Sequence, residues 1–191
     1  TRALPILQAL LDERGENIVR DVMMQSINLA EHQVRDFIRD LPDGSWSGEA
    51  FMDGVRVGDE RICKVALTLT CTDDMLRFDY TGSSDQVDAA VNSTISATLA
   101  GSAVPLYSFL CQGDIDWNDG LKRCIEVFAP EGTVVNATYP APVSISTVGF
   151  RWLVTVAATQ AVARMFDSSD KYRDRACPSW NSSSNCNNMF A

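Results

Sequence analysis

Histidine is almost missing from this chain: His32 is the only one in 191 residues. Six cysteines stand at 63, 71, 111, 124, 177 and 186, and none forms a CxxC pair. A structural zinc site would therefore lack its usual ligand spacing. No apolar run approaches the roughly 20 residues that a membrane-spanning helix needs. Positive charge is also short: 16 Lys and Arg stand against 25 Asp and Glu, a formal net charge of −9. Such a field repels phosphate backbones and anionic lipid, so neither nucleic acid nor a membrane surface is expected as a partner. Secreted disulfide frameworks are usually dense and lie in much shorter chains. All six thiols are thus expected to be reduced and mostly buried, which points to a soluble, cytoplasmic protein.

What is present is enough apolar sequence, 46% of residues, for a real core. Residues 1–44 read as a helical segment and 45–191 as an α+β region, together one domain or part of a larger subunit. Leu4, Leu7 and Leu11 recur at helical spacing until Gly15 interrupts them. Val19, Val22, Met23, Ala30, Val34, Phe37 and Ile38 resume a stripe with a period of about 3.6, giving a helix pair or a bent helix with one core face. Leu41-Pro42-Asp43-Gly44 ends it. Alternation then takes over. Ser45–Met52 is a strand candidate, and in Arg61–Cys71 the residues Cys63, Val65, Leu67, Leu69 and Cys71 share one face. Thr72-Asp73-Asp74 turns the chain, and Leu76, Phe78 and Tyr80 return as the second arm of a hairpin. Ala97–Cys111 reads as a buried helix kinked by Pro105, and Gln112–Gly120 as a loop. Cys124–Phe128 reads as a short strand, the stretch around Pro140 and Pro142 as extended, and Val148–Phe166 as a second buried helix. Ser182–Asn188 is low in complexity. The expected fold is α+β: an antiparallel sheet with a hairpin, packed against N-terminal helices and two further buried helices. Thr1–Leu4 and Met189–Ala191 both read like core, so the chain is expected to be internal to a longer one.

Several blocks share one pattern. Phe78–Val87 followed by Val91-Asn92, Asp114–Gly120, Val127–Asn136, Leu41–Gly44 and the Asn187-Asn188 pair resemble, in order and spacing, the hydantoinase B/oxoprolinase family. The resemblance covers nearly the whole chain, and the blocks together are specific where each alone is not. It implies a segment of a large B-type subunit that works in a hetero-oligomer with an A-type, ATP-binding subunit. In that family ATP activates a carbonyl or amide oxygen. Hydantoinases and oxoprolinases then open a cyclic amide with water, whereas acetone and acetophenone carboxylases carboxylate a ketone. ATP and a divalent metal are implied for the full complex and none for this segment, because the family's metal-site residues belong to an N-terminal part outside it. Ser144–Thr147 departs from the Gly-Gly-Asn-Val-Glu-like stretch of many hydantoinases, and Pro140-Ala141-Pro142-Val143 is similar to the ketone-carboxylase branch. The carboxylase alternative therefore stands beside the hydrolase, as does a non-catalytic scaffold or subunit-interaction module.

The candidate substrate-facing or loop-fixing residues are Asp79, Ser83, Asn92, Asn118, Glu131 and Asn136; none is assigned a catalytic or metal-binding role. Asp79 enters a Gly-Ser loop, where a carboxylate lines a channel or caps loop amides. Gly82-Ser83-Ser84 lacks the lysine of a phosphate loop, and Ser83 has no histidine near in sequence to serve as its base. The three asparagines suit turn fixing, and Glu131 suits a turn between Pro130 and Gly132. Trp117 is a packing anchor or an interface residue.

Overall fold

The computed structural model describes residues 2–110 and 115–176. Helices α1 (Ala3–Arg14) and α2 (Glu16–Arg39) are separated by Gly15 alone, at φ 81°, whose N–H closes on Leu11 O at 2.8 Å. The apolar stripe is covered over only part of its length. Val19, Ala30, Val34 and Ile38 are buried, but α1 buries no residue, Leu4 is 66% exposed, and Val22 and Met23 are more than half exposed. This corrects the reading of Leu4, Leu7, Val22 and Met23 as core. Periodicity names the face of a helix but not how much of that face finds a neighbour. A helix of α2's length runs about 36 Å, and the sheet meets its C-terminal half.

The sheet has four strands among the described residues, in the order β1 (Gly44–Asp53), β2 (Ile62–Thr72), β3 (Met75–Asp79), β4 (Ile125–Phe128). The hairpin register pairs Leu69 with Phe78, and β1 pairs Gly48 with Leu67. Cys63, Val65, Leu67, Leu69 and Cys71 are all buried on one face, as alternation requires. Asp73 takes φ 53° in the turn, and its N–H donates to Asp43 Oδ1 at 3.0 Å. One pairing differs from the expected antiparallel sheet: β4 runs parallel to β3. The chain leaves β3, crosses through α3 (Ile95–Leu110), and re-enters alongside it, which is the connection a parallel pair needs. A single 3-10 turn, Leu121–Cys124, leads into β4 and was not legible in the sequence.

Helix α4 (Phe150–Asp167) begins two residues later than its apolar pattern, after a run of turns. The segment at Pro140 is a turn rather than extended, with a cis Tyr139-Pro140 bond and Ala141 N–H donating to Thr138 O at 3.0 Å. Proline's fixed φ serves either conformation, so sequence could not choose between them. Helix α4 lies across β1 and β2 at close range: a Cβ on Gly48 would sit 2.0 Å from Ala157 O. Ala157, Ala158 and Ala161 of α4 are all fully buried. Helix α3 packs on α4 just as closely, since a Cβ on Gly101 would lie 2.8 Å from Val154 Cγ1. Small residues at both crossings let backbones meet, and the large buried side chains around them (Phe78, Leu69, Phe150, Phe166, Leu106) supply about 1.5–3 kcal/mol each.

Cys63, Cys71 and Cys124 are buried free thiols. Cys111, Cys177, Cys186, Asp114, the low-complexity stretch and the Asn187-Asn188 pair lie outside the described residues. No described helix is long and apolar enough to cross a membrane.

Candidate functional site

Because β3 and β4 are parallel, the loops that follow them leave from the same end of the sheet. They knit together there. Tyr80 N–H donates to Phe128 O, Val134 N–H to Ser84 O, Gln86 N–H to Gly132 O and Ser93 N–H to Val134 O, all at 2.8–2.9 Å. Asp79, Ser83, Asn92, Glu131 and Asn136 thus belong to one loop assembly. Most of them face inward, into its own backbone.

Asn92 is fully buried. Its Oδ1 accepts from Val87 N–H at 2.9 Å, while Nδ2 donates to Val87 O, Ala89 O and Pro142 O at 2.8–2.9 Å. Asn136 Nδ2 donates to Ala129 O at 2.8 Å, closing the turn that contains Gly132 at φ 77°. Glu131 is exposed at that turn. Ser83 Oγ accepts from Ala66 N–H at 3.1 Å, and Ser84 Oγ from Lys64 N–H at 2.8 Å. Beyond Asp79, where β3 ends, these two hydroxyls take over the hydrogen bonding along the edge of β2. They are not arranged to cradle a phosphate. Asp79 Oδ1 accepts from Thr81 N–H at 2.9 Å. Burial opposes ionisation of Asp79, but the Thr81 contacts and Arg77 at 3.7 Å outweigh it and hold the carboxyl below its ordinary range.

The assembly also sets where two helices begin. Thr94 Oγ1 accepts from Ala97 N–H at 3.3 Å in the first turn of α3. Phe150 N–H, the first of α4, donates to Val91 O at 2.9 Å, and a Cβ on Gly149 would lie 2.4 Å from that same oxygen. The entry of α4 is therefore fixed against Val91, and that of α3 is capped by Thr94, two residues past Asn92. Between them and the Trp117–Lys122 segment opens a cleft of about 760 Å³, within the range of small-molecule sites. One face of α3 (Ser96, Leu99, Ala100, Ala103, Val104) forms its apolar wall. Opposite stand Trp117, Leu121, Asp119 and Lys122, with Arg151 from the first turn of α4.

Of the predicted site residues only Asn118 lines this cleft, and its side chain is engaged elsewhere. Its Oδ1 accepts from Gly120 N–H at 2.8 Å, and Nδ2 donates to Ser26 O of α2 at 3.1 Å. Trp117 is 49% exposed and meets Tyr107 edge-on at 5.0 Å between ring centres. Lys122 Nζ lies 2.6 Å from Asp119 Oδ1 and holds that carboxyl below its ordinary value. Arg151, which sequence reasoning passed over, has no hydrogen-bond, ion-pair or ring partner for its side chain among the described residues. The available signal was its charge: no other charged residue occurs in α4 before Arg164.

His32 offers no metal centre. The oxygens of neighbouring Glu31 are held by Arg35 at 3.0 Å and Arg123 at 2.9 Å, and these contacts keep its carboxyl low. Among the described residues no three His, Cys, Asp or Glu side chains are grouped to hold a metal ion. The described residues do not fit the divalent metal that the family resemblance implies for the full complex.

Comparison with known proteins places this architecture. The chain is 31% identical over 142 residues to the B-type subunit of a putative D-/L-hydantoinase of Pseudomonas sp. (strain NS671), covering 70% of this chain and 24% of that protein. It is 31% identical over 134 residues to the beta subunit of the caprolactamase of Pseudomonas jessenii, covering 70% of this chain and 22% of that one. The crystal structure of the ATP-dependent caprolactamase from P. jessenii superposes with a TM-score of 0.75 at 27% identity, over 85% of this chain and 28% of that one. Nucleotide-free acetone carboxylase superposes with a TM-score of 0.71 at 20% identity, over 88% and 23%, a likeness of fold alone. The chain thus spans about a quarter of the length of the relatives it matches. The family model described as Hydantoinase B/oxoprolinase matches residues 3–191, and the chain belongs to that family.

Proposed function

We propose that this chain is a segment of the B-type subunit of an ATP-dependent, cytoplasmic enzyme that opens cyclic amides, working with an A-type subunit that binds ATP. One observation carries the reading: the two relatives at 31% identity are named for a hydantoin and for caprolactam, both cyclic amides. ATP dependence is supported by the likeness to a caprolactamase that is described as ATP-dependent. Within such a subunit, the segment's own work is positional. Its loop assembly fixes the entries of α3 and α4 and so shapes the cleft between them.

A ketone-carboxylase reading is favoured by one feature, the Pro140–Val143 stretch and its similarity to that branch. The two readings separate on substrate. A full-length subunit containing this segment, combined with its A-type partner, is expected to hydrolyse ATP when given a lactam or hydantoin. Stimulation by a ketone with bicarbonate, and not by the cyclic amides, would replace the first reading with the second. No stimulation by either would leave the scaffold role.

A further inference from the structure

We propose that the cleft between α3, α4 and the Trp117–Lys122 segment binds a small organic carboxylate through the Arg151 guanidinium, with the aliphatic body of the ligand along the α3 wall. Three observations converge on it. First, the cleft has the volume of a small-molecule site and an apolar wall of Leu99, Ala100, Ala103 and Val104. Second, Arg151 is an unmatched cation on a chain with a surplus of acids. Among the described residues only Arg2, Arg56 and Arg151 lack a side-chain partner; the first two are exposed, whereas Arg151 is half-buried and lines the cleft. A planar fork of donors left unpaired beside apolar surface suits a carboxylate, which accepts two parallel hydrogen bonds from it. Third, the second cation, Lys122, is already neutralised by Asp119 at 2.6 Å. The site therefore offers one net positive charge rather than two, which matches a monocarboxylate better than a phosphate.

The biological identity of the ligand rests on the cyclic-amide reading. Opening a lactam breaks the C–N bond; water supplies oxygen to the carbonyl carbon and a proton to nitrogen. The product is an aliphatic chain with a carboxylate at one end and the freed amine at the other; the carboxylate and the chain are the chemistry this cleft accepts.

Hexanoate is the probe, and hexanamide its neutral counterpart of the same shape. In a ligand-observed NMR titration of this chain, hexanoate is expected to saturate in the millimolar range and hexanamide to bind at least about tenfold more weakly, the usual weight of a charge-assisted pair. Arg151→Gln should remove that difference, and Arg151→Lys should keep part of it. Ala100→Trp, which fills the apolar wall while leaving Arg151 in place, should abolish binding of both probes. Melting curves of each variant establish that it is folded. Equal binding of the two probes, hexanoate binding that survives Arg151→Gln or Ala100→Trp, or no saturable binding at all would overturn the proposal. Lactam-stimulated ATP hydrolysis by the reconstituted complex is scored separately. Turnover without hexanoate binding overturns the cleft alone, and hexanoate binding without turnover overturns the reaction alone.

Discussion

Asn92 shows how much one buried polar side chain can organise. It satisfies Val87 on both its N–H and its carbonyl and ties that loop to Pro142, on the approach to α4. Asn92→Ala would strand these backbone groups out of reach of water, at a cost of about 3 kcal/mol. Urea denaturation should show this as a lowered midpoint with an unchanged slope. Asn92→Asp should be worse, because it turns a carboxylate oxygen toward carbonyls. The thiols give a second measurement. Burial pushes Cys71 and Cys124 up to about 11, above the ordinary thiol value of 9.0. Both are neutral in the folded and unfolded chain below pH 9.0, so their contribution to stability is intact there. It is lost as pH rises from 9.0 towards about 11, where only the unfolded chain ionises freely. Melting temperatures across that interval should fall, and Cys71→Ala should flatten the fall. Iodoacetamide at neutral pH should label neither thiol until the chain unfolds.

At the level of elements, strand β2 and helix α2 make opposite demands on substitution. Leu67 is 3% exposed, and its neighbour Thr68 faces outward. Leu67→Asp buries a carboxylate without a partner and should prevent soluble folding, whereas Thr68→Asp should be tolerated. The reverse result would shift the register by one residue. On α2, Val22 and Val34 look alike in the periodic pattern, yet Val22 is 59% exposed and Val34 fully buried. Val22→Glu should leave the melting temperature of this chain nearly unchanged, and Val34→Glu should unfold it. The alternation of β2 was fully readable because a strand in a sheet has its neighbours along its entire length. The stripe of α2 was only half readable because a helix can project past what it packs on.

Across the whole molecule, Arg35 joins the helical segment to the sheet. It reaches Asp74 in the β2–β3 turn at 2.9 Å, Glu31 on its own helix at 3.0 Å, and Arg123 O before β4 at 3.0 Å. Contacts with Arg123 and Arg35 hold Glu31 below its ordinary value of 4.5. Burial works against Asp74, but Arg39 and Arg35 outweigh it and keep that carboxyl below 3.8. Depressed carboxylates stabilise the fold above their unfolded values, and the benefit is lost as pH falls through 4.5 and below. Arg35→Gln should therefore lower the melting temperature at neutral pH and weaken its dependence on acid. A variant that melts with the parent's acid dependence would show that Arg35 ties nothing.

The sequence by itself determined the elements and the family. Apolar alternation defined the hairpin, helical spacing defined α2, and the blocks at 78–92 and 127–136 named the relatives, because these signals are local or keep their chain order. It could not show that β4 enters parallel to β3, that the two blocks bond to one another, or that Ser83, Asn92 and Asn136 spend their polar atoms on backbone. The first two depend on partners tens of residues apart, as do the bonds from Ser83 to Ala66 and from Asn92 to Pro142, whereas Asn136 reaches back only to Ala129 in its own turn, the local role its residue type suits. Arg151 is the clearest case. In sequence it is one cation in an apolar helix, and only the packing of α3 against α4 leaves its guanidinium unpaired at the wall of a cleft.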